Sequence, residues 1–374
     1  MASAAEQLAA NVNFGAFSKA TELKKRIWFT LGALIVYRLG TYIPLPGIDP
    51  VVLNGVFSRQ AGGILGMFDM FAGGALSRMT IFALNIMPYI SAAIIMQLMT
   101  AVYPPLEQLK KEGETGRKKI NQYTRYLTVL ITAMQAYGIS IGLEGMTSSA
   151  GPAVADPGFF FRFTTVVTLI GGTLFLMWLG EQITARGVGN GISLIIFVGI
   201  IAEVPAAIAQ FFASGRSGAI SPAVIVGVLV MVIATIMFVV FMERALRKIH
   251  IQYPRRQVGM KMYDGGTSHL PVKVNPAGVI PAIFASSLLL LPTTISTFSG
   301  GQTGPVMSTI LAYFGPGQPL YLLFFTAMIV FFSYFYTQNV AFKSDDVADN
   351  LKNQGGFIPG IRPGKRTEEY LDYV

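Results

Sequence analysis

The chain has 374 residues, of which 52% are hydrophobic and only 13% are charged, and its formal net charge is +9. This composition excludes an ordinary soluble domain, because such domains carry about 25% charged residues. The absence of cysteine excludes disulfides and thiolate chemistry, and the two histidines, His250 and His269, are expected to be solvated loop residues rather than a metal pair. Since the sequence shows neither a Ser-His-Asp set nor a phosphate loop, we predict no enzyme, no catalytic residue, no metal and no cofactor.

Long stretches without Asp, Glu, Lys or Arg indicate helices that cross a membrane. The gap between Lys273 and Lys343 holds 69 such residues, and the gaps that follow Arg78 and Arg216 hold 28 and 26. Because crossing the hydrocarbon takes ~20 apolar residues, we predict an all-α polytopic membrane protein. The eight predicted spans are 27–45, 79–99, 123–143, 163–180, 192–213, 220–242, 277–297 and 319–342.

The distribution of basic residues predicts how these spans are oriented. If the N-terminus is cytosolic, 22 of the 28 lysines and arginines fall in cytosolic segments and four fall outside. Since cytosolic connections are enriched in Lys and Arg, we predict that residues 1–26 form a cytosolic segment and that residue 374 is cytosolic too. Of the charges within spans, Arg38 is expected to snorkel or to pair, and Glu203 is expected at the outer interface.

Residues 64–77, ILGMFDMFAGGALS, form an apolar stretch that is too short to span a membrane and contains Asp69. Two interpretations stay open: a re-entrant helix that folds into a cavity from outside, or an amphipathic helix at the surface. The next span contains IMPYISA at 86–92, which is echoed by VIPAIFA at 279–285 in span seven. We expect each proline to bend its helix, and the echo predicts inverted repeats with five spans in each half.

Residues 180–193, GEQITARGVGNGIS, join spans four and five on the predicted cytosolic side. The four glycines of this segment predict a tight turn with polar groups that cap the helices. Ile192 and Ile196 follow at a spacing that places both on one face of the next helix. A pathway lined by isoleucine would suit a gate that closes by packing and dewetting rather than one that selects ions by charge.

Two long segments carry much of the charge outside the spans. Residues 243–273 contain seven basic and two acidic residues, and residues 343–374 contain Gly-Pro turns around Arg362. A basic loop beside a membrane ordinarily follows the positive-inside pattern or touches anionic lipid. Loops of this length, with aromatic and turn residues, also suit an acidic partner such as ribosomal RNA. From the residues alone both interpretations stay open.

Four segments carry a resemblance to a known family: IFALNIMPYISAAIIMQL at 81–98, MWLGEQITARGVGNGISLIIF at 177–197, KVNPAGVIPAIFASSLLLLP at 273–292 and ADNLKNQGGFIPGIRPGKRTEEYL at 348–371. Together they resemble the SecY family, the central subunits of bacterial protein-conducting channels. The resemblance implies ten spans in two inverted five-helix halves around a central pore, with the last two spans absent here. The N-terminal half would occupy 27–213, the C-terminal half 214–342, and residues 343–374 would lead towards the absent span nine.

The resemblance also implies roles for individual residues. By motif match the pore ring would comprise Ile86, Ile90, Ile192, Ile196 and Ile283. The plug at about 64–75 would include Met67, Phe68, Asp69 and Phe71. The lateral gate would include Gln97, Gln135 and Asn275, and partner docking would use Arg255, Arg256 and Arg362. The implied partners are the SecE and SecG subunits, the SecA ATPase or a ribosome docking on the 243–273 and 343–368 loops, nascent chains with their signal peptides, and the lipid of the bacterial inner membrane.

Two other functions compete with a passive protein-conducting channel. An inverted-repeat secondary transporter of a small solute would show saturable uptake that depends on Glu203 or Arg38. A membrane receptor for ribosomes would bind through the basic loops without passing a chain beyond Ile90. The resemblance favours the channel, and a partner would drive it, since no energy-converting site is predicted in this chain.

Overall fold

The structure is a computed structural model, and it describes most of the chain in several stretches. The described residues are 21–49, 52–53, 69, 72–145, 147–148, 151–218, 220–253, 256–258, 261–263, 266–286, 288–289, 318–338, 342 and 344–374. By contact they divide into two compact units, the first ending at Gln210 and the second beginning at Phe211.

Over these residues the chain is mainly helical, as predicted. Helices coincide with the apolar runs because a helix satisfies its backbone hydrogen bonds internally, which lipid requires. The helices are α1 (Thr21–Gly40), α2 (Met87–Val102), α3 (Pro104–Lys111), α4 (Glu114–Gly145), α5 (Phe159–Arg186), α6 (Gly191–Arg216), α7 (Pro222–Arg244), α8 (280–286), α9 (Pro319–Tyr336), α10 (Ser344–Asn353) and α11 (Lys365–Tyr373). The strands are β1 (Thr147–Ser148), β2 (Gly151–Pro152), β3 (Leu246–Gln252), β4 (Arg256–Val258), β5 (Lys261–Tyr263) and β6 (Thr267–Lys273).

Five of the described helices, α4, α5, α6, α7 and α9, are long and apolar enough to cross a membrane. The helices α2 and α3, which meet at a bend of 96°, add a sixth if they form one broken span. The predicted count of eight is therefore not confirmed. Helix α1 is too polar by this measure because it contains Lys24, Arg26 and Arg38, and the seventh predicted span is described only at 277–286 and 288–289.

The second predicted span begins later than expected. The sequence predicted a helix over 79–99, but α2 begins at Met87, and residues 81–86 form turns. The expectation that each proline bends a helix from within was wrong: Pro88 lies in the first turn of α2, and Pro281 lies in the first turn of α8. The first turn tolerates proline because its N–H groups have no partner within the helix.

The polar connection between the fourth and fifth spans is also shorter than predicted. Helix α5 continues through the polar residues to Arg186, and only residues 187–190 separate it from α6. Two hydroxyls satisfy the amides of this turn, since the Thr30 Oγ1 accepts from the Val188 N at 3.1 Å and the Thr184 Oγ1 accepts from the Gly191 N at 2.9 Å. Of the four glycines, Gly187 and Gly189 lie in this four-residue turn, whereas Gly180 lies within α5 and Gly191 begins α6.

The first unit is built from close helix packing, with α4 against α5 and α2, and α1 against α5. Three threonines on α4 are buried at four-residue spacing, and each hydroxyl donates to the carbonyl one turn earlier at 2.7–2.9 Å. Because each hydroxyl forms its hydrogen bond within α4, it needs no partner on a neighbouring helix. The small threonine side chains therefore allow the neighbouring helices to pack closely against α4. One buried core, the isoleucine cluster, consists of Ala33, Tyr37, Phe82, Ile86, Leu176, Leu179, Ile183 and Ile195.

A half-buried ion pair links the ends of α4 and α5. The Glu144 carboxylate accepts hydrogen bonds from the Arg162 Nη2 at 2.6 Å and from the Gly158 N at 3.0 Å. Only 11% of the Glu144 side chain is exposed, whereas the Glu107 side chain, which pairs with Lys111 within α3, is 46% exposed. The two pairs thus offer a matched comparison between a half-buried and an exposed interaction.

We expect Glu144→Gln to lower the melting temperature of the purified chain and Glu107→Gln to leave it unchanged. Glutamine removes the charge that Arg162 and the Gly158 amide share, while exposed pairs within one helix contribute little. Thermal unfolding in detergent, followed by size-exclusion fluorescence, measures both variants. Equal melting temperatures for the two would contradict a structural role for the Glu144 pair.

In the second unit, the strands β3 and β6 form an antiparallel hairpin within the segment 243–273, where the sequence predicted a loop. Ile249 and Ile251 are buried while Lys248 and His250 are exposed, which is the alternation of a strand with one covered face. The sequence pattern KIHIQ shows this alternation over too few residues to distinguish a strand from a polar loop. The prediction of an all-α fold therefore needs this β-hairpin added.

The hairpin packs on the segment that follows α9. Ile249 shares a buried core with Ala348 of α10, Leu371 of α11 and Ile358 between them. Gln252 also exchanges two backbone hydrogen bonds with Phe357, at 2.9 and 3.0 Å. Because an isolated two-stranded hairpin is marginally stable in water, we infer that α10 and α11 stabilise it. The described strands β3 and β6 thus form one folded body with residues 344–374, and we call it the docking body, residues 246–253, 266–273 and 344–374.

Candidate functional site

Three of the predicted pore isoleucines meet in the first unit. Ile86 is only 1% exposed within the isoleucine cluster, and Ile90 and Ile192 are partly buried against the same cluster. Ile196, one turn beyond Ile192 on α6, is also half-buried. Residues that are about a hundred positions apart in the sequence are therefore brought together on an apolar surface where α2 and α6 begin.

The position of Ile86 depends on the irregular backbone that precedes α2. Met79 has a φ of 43°, and residues 79–86 are largely buried although most of them are in turns. Non-helical backbone at membrane depth is tolerated where protein covers it. Helix α5 covers it here, and Gly172 makes this possible because a Cβ at that position would collide with the Ile81 carbonyl oxygen. The segment ends at Ile86, which is the N-cap of α2.

The remaining ring and gate residues lie in both units. Ile283, on α8 of the second unit, is half-buried, and the Asn275 Oδ1 accepts a hydrogen bond from the Gly278 N at 3.1 Å, which orders the turn before α8. Gln97 on α2 and Gln135 on α4 are half-buried on neighbouring helices. The Gln97 Oε1 is buried and accepts no hydrogen bond within the described part of the chain. That atom is available to a donor that the described residues do not supply.

Of the four predicted plug residues, only Asp69 is described; Met67, Phe68 and Phe71 lie outside the described residues. The Asp69 Oδ1 accepts hydrogen bonds from the Leu76 N at 3.0 Å and from the Ser77 N at 2.8 Å. Asp69 therefore organises the turns that follow the predicted plug segment. This local role explains an acidic residue in an otherwise apolar stretch.

Two of the charges predicted inside spans, Arg38 and Glu203, contact these turns. Arg38 on α1 donates from Nη1 to the Gly73 carbonyl at 3.1 Å, and Glu203 on α6 lies against Gly74. The Arg78 guanidinium lies 4.6 Å from the centre of the Tyr42 ring, within the range of a cation–π contact. Arg38 is thus partnered, as expected. The grouping around Gly73 and Gly74 was not predicted, because the sequence does not show which loop faces an intramembrane charge.

Of the predicted docking residues, Arg362 lies in the docking body and Arg256 lies in the short strand pair β4–β5 between β3 and β6. Arg362 is exposed, and the Thr367 Oγ1 donates to its carbonyl at 2.9 Å, which fixes the loop before α11. Gly364, with a φ of 101°, allows the sharp turn beside it. Arg256 lies in β4, paired with Tyr263 of β5, while Arg255 lies outside the described residues. In the described ranges no three His, Asp or Glu side chains gather into a metal-binding group.

Comparison with known proteins decides the family. The SecY family model matches residues 80–374, which include α2, α6, the hairpin and the docking body. The chain belongs to the SecY family. The protein translocase subunit SecY of Rickettsia typhi is 54% identical over 360 residues, covering 96% of this chain and 83% of the relative. The resemblance predicted from the four segments is therefore confirmed.

Solved structures of SecY-type channels share the fold. One described as a protein-conducting channel aligns with a TM-score of 0.66 at 17% identity, covering 94% of this chain and 81% of that chain. A canine Sec61 chain in a ribosome–channel complex aligns with a TM-score of 0.64 at 15% identity and the same coverage. The predicted architecture of a multi-helix membrane channel is thus confirmed as a fold, while the predicted count of eight spans is not.

Proposed function

We propose that this chain is the channel subunit of a bacterial protein translocase, through which unfolded polypeptides cross the inner membrane. Membership of the SecY family supports the general function. The single observation that carries the finer proposal is that Ile86, Ile90 and Ile192 meet at one apolar cluster at the starts of two helices. In this proposal these residues, with Ile196 and Ile283, form the narrowest part of the pore.

The chemistry of isoleucine suits this role. An aliphatic constriction makes no hydrogen bonds with a translocating backbone, so it passes chains of any sequence and holds none of them. When no chain is present, packed aliphatic side chains exclude water and so impede ions. A signal sequence or a membrane span would leave sideways past Gln97, Gln135 and Asn275, where lipid stabilises its apolar surface by ~25 cal/mol per Å² removed from water.

In this proposal partners supply the driving force. The docking body presents exposed charge on a folded platform, which suits a SecA-type ATPase or the RNA of a ribosome. SecE and SecG would complete the complex within the lipid. The excess of lysine and arginine in alternate predicted connections supports a cytosolic N-terminus, and in this proposal the docking body lies in the cytosol with these partners.

We expect Arg362→Glu to weaken binding of the driving partner much more than Arg366→Glu does. Both arginines are exposed, but Arg362 is held in an ordered loop by Thr367, whereas Arg366 lies on the first turn of α11. A well-placed arginine at an interface is worth about 2 kcal/mol, or roughly 30-fold in Kd. Titration of SecA and of ribosomes against the reconstituted complex measures this, and equal losses for the two variants would point to general charge instead.

Site-specific crosslinking tests the channel itself. Because the natural chain has no cysteine, a single cysteine can be placed at Ile90 or Ile196 without background. The control position is Ile201, five residues along α6, whose side chain is 47% exposed. A secretory precursor with one cysteine is then stalled during translocation through the complete complex, and disulfide adducts are scored.

Adducts at Ile90 and Ile196 but not at Ile201 are the expected result. If adducts form only on the docking body, the chain is a receptor for ribosomes and the pore proposal is wrong. A small-solute transporter would give no adduct at any of these positions, and its uptake would depend on Glu203.

A further inference from the structure

The two histidines of the chain face each other across the β3–β6 hairpin. His250 and His269 are directly opposite in the strand register, and their Nδ1 atoms are 3.1 Å apart. Both side chains are exposed, and the ring centres are 4.7 Å apart. Since the sequence contains only two histidines and no cysteine, the fold has placed all of the chain's strongest nitrogen and sulfur metal ligands at one point.

The two Nδ1 atoms are within hydrogen-bond distance of each other, and the same separation suits two ligands on one metal ion. Imidazole nitrogens bind Zn²⁺ at ~2.0–2.1 Å, so two of them at angles of about 90–109° stand roughly 2.9–3.4 Å apart. The observed 3.1 Å lies within this range. We propose that His250 and His269 form a binding site for a divalent transition-metal ion such as Cu²⁺ or Zn²⁺, with water in the remaining coordination positions.

The hairpin fixes this pair more firmly than a loop would. Seven consecutive residues of β3 pair with seven of β6, and Ile249 and Ile251 on the opposite face are buried. The strand alternation therefore holds both imidazoles on the open face. A preset separation reduces the cost of ordering the ligands when the ion binds.

The neighbours on the same face define what kind of site this is. Lys248 and Gln252 flank His250 on β3, and Thr267 and Pro271 flank His269 on β6. None of these supplies a carboxylate, so the two imidazoles would be the protein's ligands on this face, and the Lys248 ammonium opposes the charge of the ion. Imidazole ligands favour Cu²⁺ over Zn²⁺ and exclude Mg²⁺ and Ca²⁺, which prefer oxygen.

The test uses the full chain in detergent with its partner subunits and without a polyhistidine tag. Cu²⁺ is titrated while its electron paramagnetic resonance spectrum is recorded, and Zn²⁺ is titrated by calorimetry. We expect one ion for each chain, with a Cu²⁺ spectrum that shows two equivalent nitrogens. His250→Ala and His269→Ala are each expected to weaken binding by at least about tenfold, since even the partners behind a ligand are worth 10–100-fold.

Three comparisons make the result decisive. The double variant should bind at least as weakly as either single variant but lose less than the two single losses added together, because both ligands act on one ion. Lys248→Gln should strengthen binding, since it removes an opposing charge from the same face. His250→Cys should restore Zn²⁺ binding, since thiolate is a zinc ligand, and this rescue separates loss of a ligand from damage to the hairpin.

The site is overturned if either single variant keeps the affinity of the natural chain, or if the double variant binds Cu²⁺ and Zn²⁺ as the natural chain does. These outcomes do not depend on the channel proposal, because metal binding is measured without translocation. Translocation that fails in the crosslinking experiment would likewise leave the metal site intact.

Discussion

Replacing Ile196 by glycine is expected to make the resting channel leak ions. In the proposed constriction a glycine leaves a gap that water enters, because the closed state depends on packed aliphatic side chains rather than on charge. Each 1.4 kcal/mol removed from the barrier raises the leak about tenfold, and we expect at least this increase. The measurement is chloride or proton flux across proteoliposomes that contain the complete complex and no precursor.

The control for this prediction is Ile201→Gly on the same helix. Both variants introduce the same helix-weakening glycine into α6, but Ile201 is exposed whereas Ile196 is half-buried. A leak in both variants would indicate general destabilisation of α6. A tight membrane in both would contradict a constriction at Ile196.

The membrane-spanning helices were predictable because lipid imposes one strong condition on the sequence. A backbone without water must pair its own polar groups, so long apolar runs become helices wherever they lie. Helices α4, α5, α6, α7 and α9 follow this rule, with ends that differ by several residues from the prediction. Some helices extend beyond their apolar run, as α5 does in its polar last turns. The hydrocarbon does not determine where such a helix ends, so the apolar run does not predict its last residue.

The irregular segment before α2 could not be predicted by the same reasoning. Residues 79–86 are as apolar as a helix within the membrane, so composition favours a helix. Tertiary contacts override this preference: Phe82 stacks against Tyr37 and Phe175, and α5 lies directly on the Ile81 carbonyl. The local sequence of residues 79–86 does not show that α5 will cover them, and this contact is what allows their backbone to be non-helical within the membrane.

The docking body escaped prediction for a related reason. Its hairpin is held to α10 and α11 by Ile249 and by the bridge between Gln252 and Phe357, which are about a hundred residues apart. The Gly-Pro turns predicted an ordered loop around Arg362, and Arg362 is exposed on such a loop, while its role in docking stays a prediction. The motif match did not show that His250 and His269 oppose each other, because that depends on the strand register.

Substitution of the two adjacent glycines of α5 is expected to have opposite effects. Gly172→Ala should destabilise the first unit, because the new methyl group collides with the Ile81 carbonyl and makes a tight contact with the Phe82 ring. Overpacking of this kind costs about 1–3 kcal/mol, and rigid backbone on one side of the collision favours the upper end. Because α5 holds the turns before Ile86, we also expect loss of translocation.

Gly171 provides the matched control one residue away. A Cβ at Gly171 meets nothing within 4 Å, and the position is exposed. Gly171→Ala should therefore leave translocation unchanged and raise stability slightly, since alanine is favoured over glycine in a helix by up to about 1 kcal/mol. Melting temperature in detergent and precursor transport into vesicles measure both effects. If Gly172→Ala matched Gly171→Ala in both assays, the close approach of α5 to the Ile81 carbonyl would not be needed to position Ile86.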